Sequence, residues 1–222
     1  MYRHAAWAAG DFYLSGTLYP GLLEKIIVEL VVQKKWDERY RKAPDVEPRA
    51  TDVLLNNLHL LPAQGKALDL ACGLGGNARL LAGQGLDTSA WDISPVALQA
   101  LDTASEKHDL KIETRVCDVL ESPPPAASFD VIVVARFLDR RLFPHLRAAL
   151  KPGGVLFYQT FTLENTGKGG PANPDFLLRS NELLEQFRDL TVLSFRDEGR
   201  QGDLQAGLRN ESWIIVKKGS QA

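Results

Sequence analysis

Cysteine is scarce in this chain, with only Cys72 and Cys117 in 222 residues. They stand 45 positions apart, without the close-set pairs of a zinc site or the density of a disulfide scaffold, so both are expected to be reduced, buried thiols in a reducing compartment. Long apolar runs are lacking too. The most apolar stretch, 22–32, is broken by Glu24, Lys25 and Glu29 and is about half the ~20 residues a bilayer span needs. The start shows no basic segment leading into an unbroken apolar core and a small-residue cleavage site, so a cytoplasmic protein without a membrane partner is expected. Neither sign of charge dominates. With 26 basic against 28 acidic side chains the net charge is −2, too balanced for the broad positive field that draws a phosphate backbone, and nucleic acid is not an expected partner. No histidine pair at helical spacing and no cysteine cluster offers a metal site, so none is expected. Internal repeats and low-complexity tracts are absent as well.

What is present is the composition of a folded globular unit, 45% hydrophobic and 24% charged, at a length that suits one core. From about Lys66 short β-branched runs alternate with helical patterns, the signature of an α/β fold with a parallel sheet covered by helices. Strands are expected at 66–71, 88–91, 111–116, 129–135 and 154–161. Ser94 followed by Pro95 reads as an N-cap with proline at the first helical position, opening a helix toward His108. A second helix over 142–150 should be stopped by Pro152 and Gly153, and a third is expected from a Ser180 cap through Phe187. Runs at 190–195 and 212–216 read as a terminal strand pair, and 51–60 as an amphipathic helix over the sheet. Residues 1–35 form an N-terminal extension with helical spacing in Leu22, Leu23, Ile26, Ile27, Leu30 and Val31, packed on the core or on a second subunit; 36–222 is the α/β domain, a monomer or homodimer.

The most informative segment is 67–78, ALDLACGLGGNA, where an apolar strand ends in Asp69 and runs into Gly73, Gly75 and Gly76 ahead of a helix. Glycine lets the backbone approach a ligand closely, and the helix that follows offers unpaired N–H groups and a positive dipole end. A carboxylate beside such a turn repels a pyrophosphate but attracts the ammonium of an amino-acid-bearing cofactor. Nineteen residues after Gly73, Asp92 closes the second strand, where a carboxylate accepts both ribose hydroxyls. Asp118, at the end of the third, is placed to take a hydrogen bond from an adenine amino group. Gly73, Gly75 and Ala78 also satisfy G-x-G-x-x-A, so the glycines alone leave an NAD-dependent oxidoreductase open. Each acid taken singly is as readily a turn residue or a cap. It is the set on three successive strand ends that points to a nucleoside ligand.

With AWDISPVAL, VCDV, FDVIVV and LKPGG, this segment resembles the ordered motifs of class I S-adenosylmethionine-dependent methyltransferases, over about 36–216. DLACGLGGNA, AWD and the preceding WDERY at 36–40 are most similar to the tellurite-resistance methyltransferase family. The resemblance implies a Rossmann-like, seven-stranded, mostly parallel sheet with helices on both faces and an antiparallel C-terminal strand pair. It implies S-adenosylmethionine as cofactor, with S-adenosylhomocysteine as product. Asp69 and the turn with Ala71, Cys72, Gly73 and Gly75 would hold the methionine end, Asp92 and Ile93 the ribose and adenine, and Asp118 with Val119 the adenine, with Asn77 also binding the cofactor. Arg136 would lie against the cofactor on the acceptor side, and Tyr40 would close over the site.

Arg136, Arg140, Tyr158 and Thr160 are the acceptor-side candidates at the ends of strands four and five. Arg136, Arg140 and Arg141 suit an anionic acceptor; they equally suit a solvated helix entry paired with Asp139. His145 falls inside a helix and reads as a surface residue, and Cys72 as a small side chain that fits its turn. The glycine- and proline-rich 165–174 reads as a mobile loop near the acceptor or as an idle one. Ala135-Arg136-Phe137-Leu138 replaces the Asn/Asp-Pro-Pro-aromatic turn that grips planar amino groups in related enzymes, so bases and glutamine are disfavoured. A small molecule (a thiol, a chalcogen oxyanion or a small carboxylate) is the expected acceptor, with a non-catalytic cofactor-binding module as the other reading.

Overall fold

A computed structural model of the chain describes residues 20–43, 48–166 and 169–220, with side chains from residue 26 onward. The part of the expected extension before residue 20 lies outside the described residues. Strands β1 (Lys66–Leu70), β2 (Asp87–Asp92), β3 (Ile112–Val116), β4 (Phe129–Ala135), β5 (Leu150–Phe161), β6 (Thr191–Arg196) and β7 (Glu211–Lys217) form one sheet in the order β3-β2-β1-β4-β5-β7-β6. Neighbours from β3 to β5 pair in parallel, and β7 runs antiparallel to both β5 and β6. This is the Rossmann-like sheet with an antiparallel C-terminal pair that the motifs imply. The order reverses between β1 and β4, which opens a crevice at the carboxyl ends of those strands.

Strand periodicity divides the core in two. Leu68, Leu70, Ile132, Val134, Leu156 and Tyr158 face one side of the sheet, where they meet Phe143 and Leu146 of α5 (Phe143–Ala149) and Leu183 of α6 (Glu182–Gln186). Ala67, Val131, Val133, Val155 and Phe157 face the other and meet Val53 and Leu54 of α2 (Asp52–Leu55) and Leu81 of α3 (Gly76–Gly83). Both faces are covered, so the central strands read as continuous apolar runs rather than alternating ones. Ser94 caps α4 (Pro95–Lys107) as expected, accepting from the N–H of Ala97 at 3.2 Å with Pro95 in the first turn.

Four boundaries differ from expectation. The 51–60 helix breaks into α2 and a 3-10 turn over Leu58–Leu60, because the Asn57 side chain folds back to the Val53 carbonyl at 2.9 Å and competes for the helical acceptor. The α5 helix stops at Ala149, before Pro152 and Gly153, which lie inside β5; Gly153 adopts φ +80° and pairs its N–H with the Lys218 carbonyl. Ser180 does not cap α6; Asn181 precedes the helix in the left-handed region, and its N–H is held by Asp197. The helix α1 (Pro20–Arg41) runs unbroken across the boundary drawn at 35/36. Its end carries buried Asp37 and packs on α4, whereas Ile26, Ile27, Val28, Leu30, Val31 and Val32 are exposed.

Candidate functional site

The glycine turn links β1 to α3, and its shape follows from three left-handed residues, Ala71 at φ +54°, Gly73 at +53° and Gly75 at +74°. At Gly75 a side chain is doubly excluded, since a β-carbon there would stand 2.4 Å from Leu101 of α4. Asp69 lies fully buried beneath the turn. Its carboxylate accepts from the N–H of Ala78 at 2.9 Å and from the Asn77 amide at 3.5 Å, so it caps the first turn of α3. Asn77 in turn accepts from the backbone N–H and the hydroxyl of Thr51, both at 2.9 Å, which ties the segment before α2 to the site. Burial pushes the Asp69 carboxyl up to about 8, against these two hydrogen bonds and with a further push from Asp92.

Asp92 ends β2 with its carboxylate between two backbone donors, Gly73 at 2.8 Å and Ser94 at 2.9 Å. Burial raises it above the ordinary carboxylate range even so, the backbone bonds opposing the shift. Ile93 beside it is half-buried. Asp118 follows β3, half-buried, and accepts from the N–H of Leu120 at 2.8 Å, while Val119 is buried in the core. Cys72 sits in the turn with its thiol pushed well up by burial and by the two neighbouring carboxylates, and Cys117 is raised by burial, so neither is an activated thiolate.

The end of α1 covers the turn. A β-carbon on Gly73 would stand 2.8 Å from the Tyr40 hydroxyl, Trp36 stacks on Tyr40 at 5.8 Å, and Asp37 accepts from the Ser94 hydroxyl at 2.5 Å. Tyr40 is raised by burial first and then by Asp92, Cys72 and Asp69, with Arg39 opposing. The WDERY segment thus packs on the same turn as the two acids.

The acceptor-side candidates separate. Arg136 follows β4 at φ +54° and remains exposed. It lines a cavity of about 420 Å³ with Asp52, Gln159, Thr166, Arg209 and Glu211. Tyr158 and Thr160 are not available there. Tyr158 is fully buried against Phe143 and Phe187 with its hydroxyl donated to the Phe137 carbonyl at 2.8 Å, and Thr160 is also buried, because β5 is covered on both faces. Arg140 is committed to structure, gripping Glu182 through two nitrogens at 2.6 and 3.0 Å and the carbonyls of Asp175 and Leu177. Arg141 pairs with Asp139, whose carboxyl it holds low, which is the solvated-entry reading. His145 is exposed. Thr166, at the start of the glycine-rich loop, reaches the cavity; residues 167 and 168 lie outside the described residues. Gln159 and Glu211 escape a reading by motif, and the one signal for Glu211 is an isolated acid opening an apolar run. Among the described residues no group of three His, Cys, Asp or Glu is placed to hold a metal, and no helix is long and apolar enough to cross a membrane.

Residues 67–154, from β1 into β5, match the family model of the methyltransferase domain. With the sheet order and the acid-flanked glycine turn, this match makes the chain similar to class I S-adenosylmethionine-dependent methyltransferases. The particular resemblance is to TehB. The chain is 27% identical over 170 residues to the Probable S-adenosyl-L-methionine-dependent methyltransferase TehB of Haemophilus influenzae, covering 68% of this chain and 54% of that protein. It therefore spans about half the length of that relative. The crystal structure of TehB from Haemophilus influenzae superposes with a TM-score of 0.61 at 23% identity, over 82% of this chain and 67% of that one. Geranyl diphosphate C-methyltransferase from Streptomyces coelicolor A3(2), solved with Mg2+, geranyl-S-thiolodiphosphate and S-adenosyl-L-homocysteine, shares the fold at a TM-score of 0.57 and 17% identity, over 74% of this chain and 73% of that one.

Proposed function

We propose that the protein transfers the methyl group of S-adenosylmethionine, held at the carboxyl ends of β1 to β3, to a small-molecule acceptor carrying a thiol, a chalcogen oxyanion or a small carboxylate. The observation that carries the reading is the pair of buried carboxyls, Asp69 and Asp92, both pushed up by desolvation around one glycine turn. Buried acids without a cation are costly. A pyrophosphate would add charge of the same sign, whereas an ammonium or a pair of ribose hydroxyls would satisfy them, so the residues fit the cofactor. When bound, S-adenosylmethionine supplies a methyl carbon on a positive sulfur, and S-adenosylhomocysteine remains after transfer.

The chain's own part is positioning. In this reading Asp69 and the 71–75 turn hold the amino-acid end, Asp92 takes the ribose, and Ile93, Asp118 and Val119 take the adenine. Tyr40 and Trp36 exclude water from above, and Arg136 faces the acceptor. Orientation of this kind contributes on the order of 7–11 kcal/mol, and no side chain is assigned as a general base.

The test is acceptor-dependent release of S-adenosylhomocysteine from purified protein given S-adenosylmethionine and, in turn, a small thiol, selenite and a small carboxylate. Turnover with one of these is the expected result. Binding of S-adenosylhomocysteine without turnover on any would favour a cofactor-binding module. Binding of NADH in its place would return the oxidoreductase.

A further inference from the structure

The cavity beside Arg136 sits at the carboxyl ends of β4 and β5, where β7 begins antiparallel to β5 and brings Glu211 opposite Phe161. Glu211 is almost wholly buried, with 10% of its side chain exposed. One carboxylate oxygen accepts from the Nε of Arg136 at 2.9 Å, and the other accepts from the side-chain amide of Gln159. Gln159 closes the chain by accepting from the N–H of Val53 at 2.7 Å. Glu211 is thereby held on one side by β5 and, through it, by α2.

Arg136 is held by its Nε, and among the described residues its two terminal nitrogens make no bond to protein, while 57% of its side chain is exposed. The other arginine of the cavity, Arg209, is spent on the carbonyls of Ala206, Gly199 and Asp203 at 2.7, 3.0 and 2.8 Å. A guanidinium fixed through Nε presents the flat, two-pronged edge that matches a planar carboxylate. The charged lining is balanced, Arg136 and Arg209 against Asp52 and Glu211, so no surplus of positive charge offsets the larger desolvation cost of a dianion, and a monoanion is the better fit.

We propose that Glu211, braced by Gln159, is the positioning residue that aims the terminal nitrogens of Arg136 into this cavity, and that they receive a carboxylate on the methyl acceptor. The inference rests on the methyltransferase reading and narrows its acceptor to a carboxylate-bearing small molecule. Glu211 itself touches neither acceptor nor cofactor.

The test uses the full chain labelled with 15N in its arginines, with and without S-adenosylhomocysteine, titrated with acetate and in parallel with inorganic sulfate. Arg136→Lys assigns the Arg136 signals. Acetate is expected to shift the Arg136 side-chain N–H signals and slow exchange of the terminal ones. Glu211→Gln, folded and still binding S-adenosylhomocysteine, should lose the Arg136 Nε–H signature and bind acetate roughly tenfold more weakly, the scale of one misaligned charge-assisted hydrogen bond. Should Glu211→Gln fail to fold, Gln159→Met carries the test: it removes the brace on Glu211 while leaving Arg136 and its signals in place, and must bind acetate more weakly than wild type. No response to acetate in the wild type, tighter binding of sulfate than of acetate, or wild-type acetate affinity in Glu211→Gln would each overturn the proposal. Failure to bind S-adenosylhomocysteine with the acetate response intact would overturn the methyltransferase reading instead, and with it the acceptor role but not the carboxylate site.

Discussion

Asp69 carries a pH dependence that separates the free protein from the loaded one. Its carboxyl is pushed up to about 8 by burial, so the folded chain holds a proton that the unfolded chain releases near 3.8. The contribution to stability is therefore fully present below about pH 4 and is lost as pH rises through 8. A cation at the methionine end reverses this by ionising Asp69. Calorimetry in buffers of different ionisation enthalpy should show proton release on binding S-adenosylhomocysteine at pH 7, with affinity rising toward pH 8; flat affinity and no proton release would detach Asp69 from the ligand. Asp69→Asn keeps an acceptor for the Ala78 N–H without the charge. It should raise the melting temperature of the free protein above pH 8 and weaken S-adenosylhomocysteine by about 1–3 kcal/mol, the scale for losing a charged hydrogen-bond partner. At this scale the sequence was partly legible. Acids at strand ends announce themselves by position, but their setting depends on the fold: the N–H of Gly73 reaches Asp92 from 19 residues away, and Thr51 holds the Asn77 that bonds to Asp69. Tyr158 and Thr160 looked accessible because strand ends usually are, yet the cover over both faces of β5 buries them. Arg140 looked available because Glu182, its partner, lies 42 residues away.

The glycine turn and the end of α1 are the elements on which the site depends. Gly75→Ala meets both a left-handed backbone and Leu101, and should cost about 1–3 kcal/mol in denaturant unfolding. An unchanged midpoint would mean that α4 yields freely. Tyr40→Ala uncovers the turn while leaving the acids in place; it should speed dissociation of S-adenosylhomocysteine in stopped flow more than it slows association, and an unchanged off-rate would deny α1 a covering role. Elements with a local cause were legible, as at Ser94-Pro95, where cap and proline act within one turn. Those set by distant partners were not. The 51–60 helix broke where Asn57 found the Val53 carbonyl, and α6 began where Asn181 found Asp197. The covering end of α1 was legible only through the WDERY resemblance, since nothing in helical spacing says which surface a helix meets.

Across the whole molecule the sheet is packed on both faces; one packed half holds Phe143, Tyr158 and Phe187 in mutual contact, and the crevice lies at the carboxyl ends of the strands. Phe187→Ala should cost about 3–5 kcal/mol of global stability while leaving S-adenosylhomocysteine affinity in calorimetry unchanged. Loss of affinity there would mean that the packed half and the site are coupled. The sheet was legible as a whole because short β-branched runs alternate with helical patterns along the chain, and the order of β7 before β6 follows from the fold rather than from any residue pattern. The most direct measurement is calorimetric titration of the protein with S-adenosylhomocysteine, NADH in parallel and Asp92→Ala as the site control. Micromolar binding of S-adenosylhomocysteine, absent for NADH and abolished in a folded Asp92→Ala variant, is the predicted result; a folded wild-type protein that ignores S-adenosylhomocysteine would contradict it.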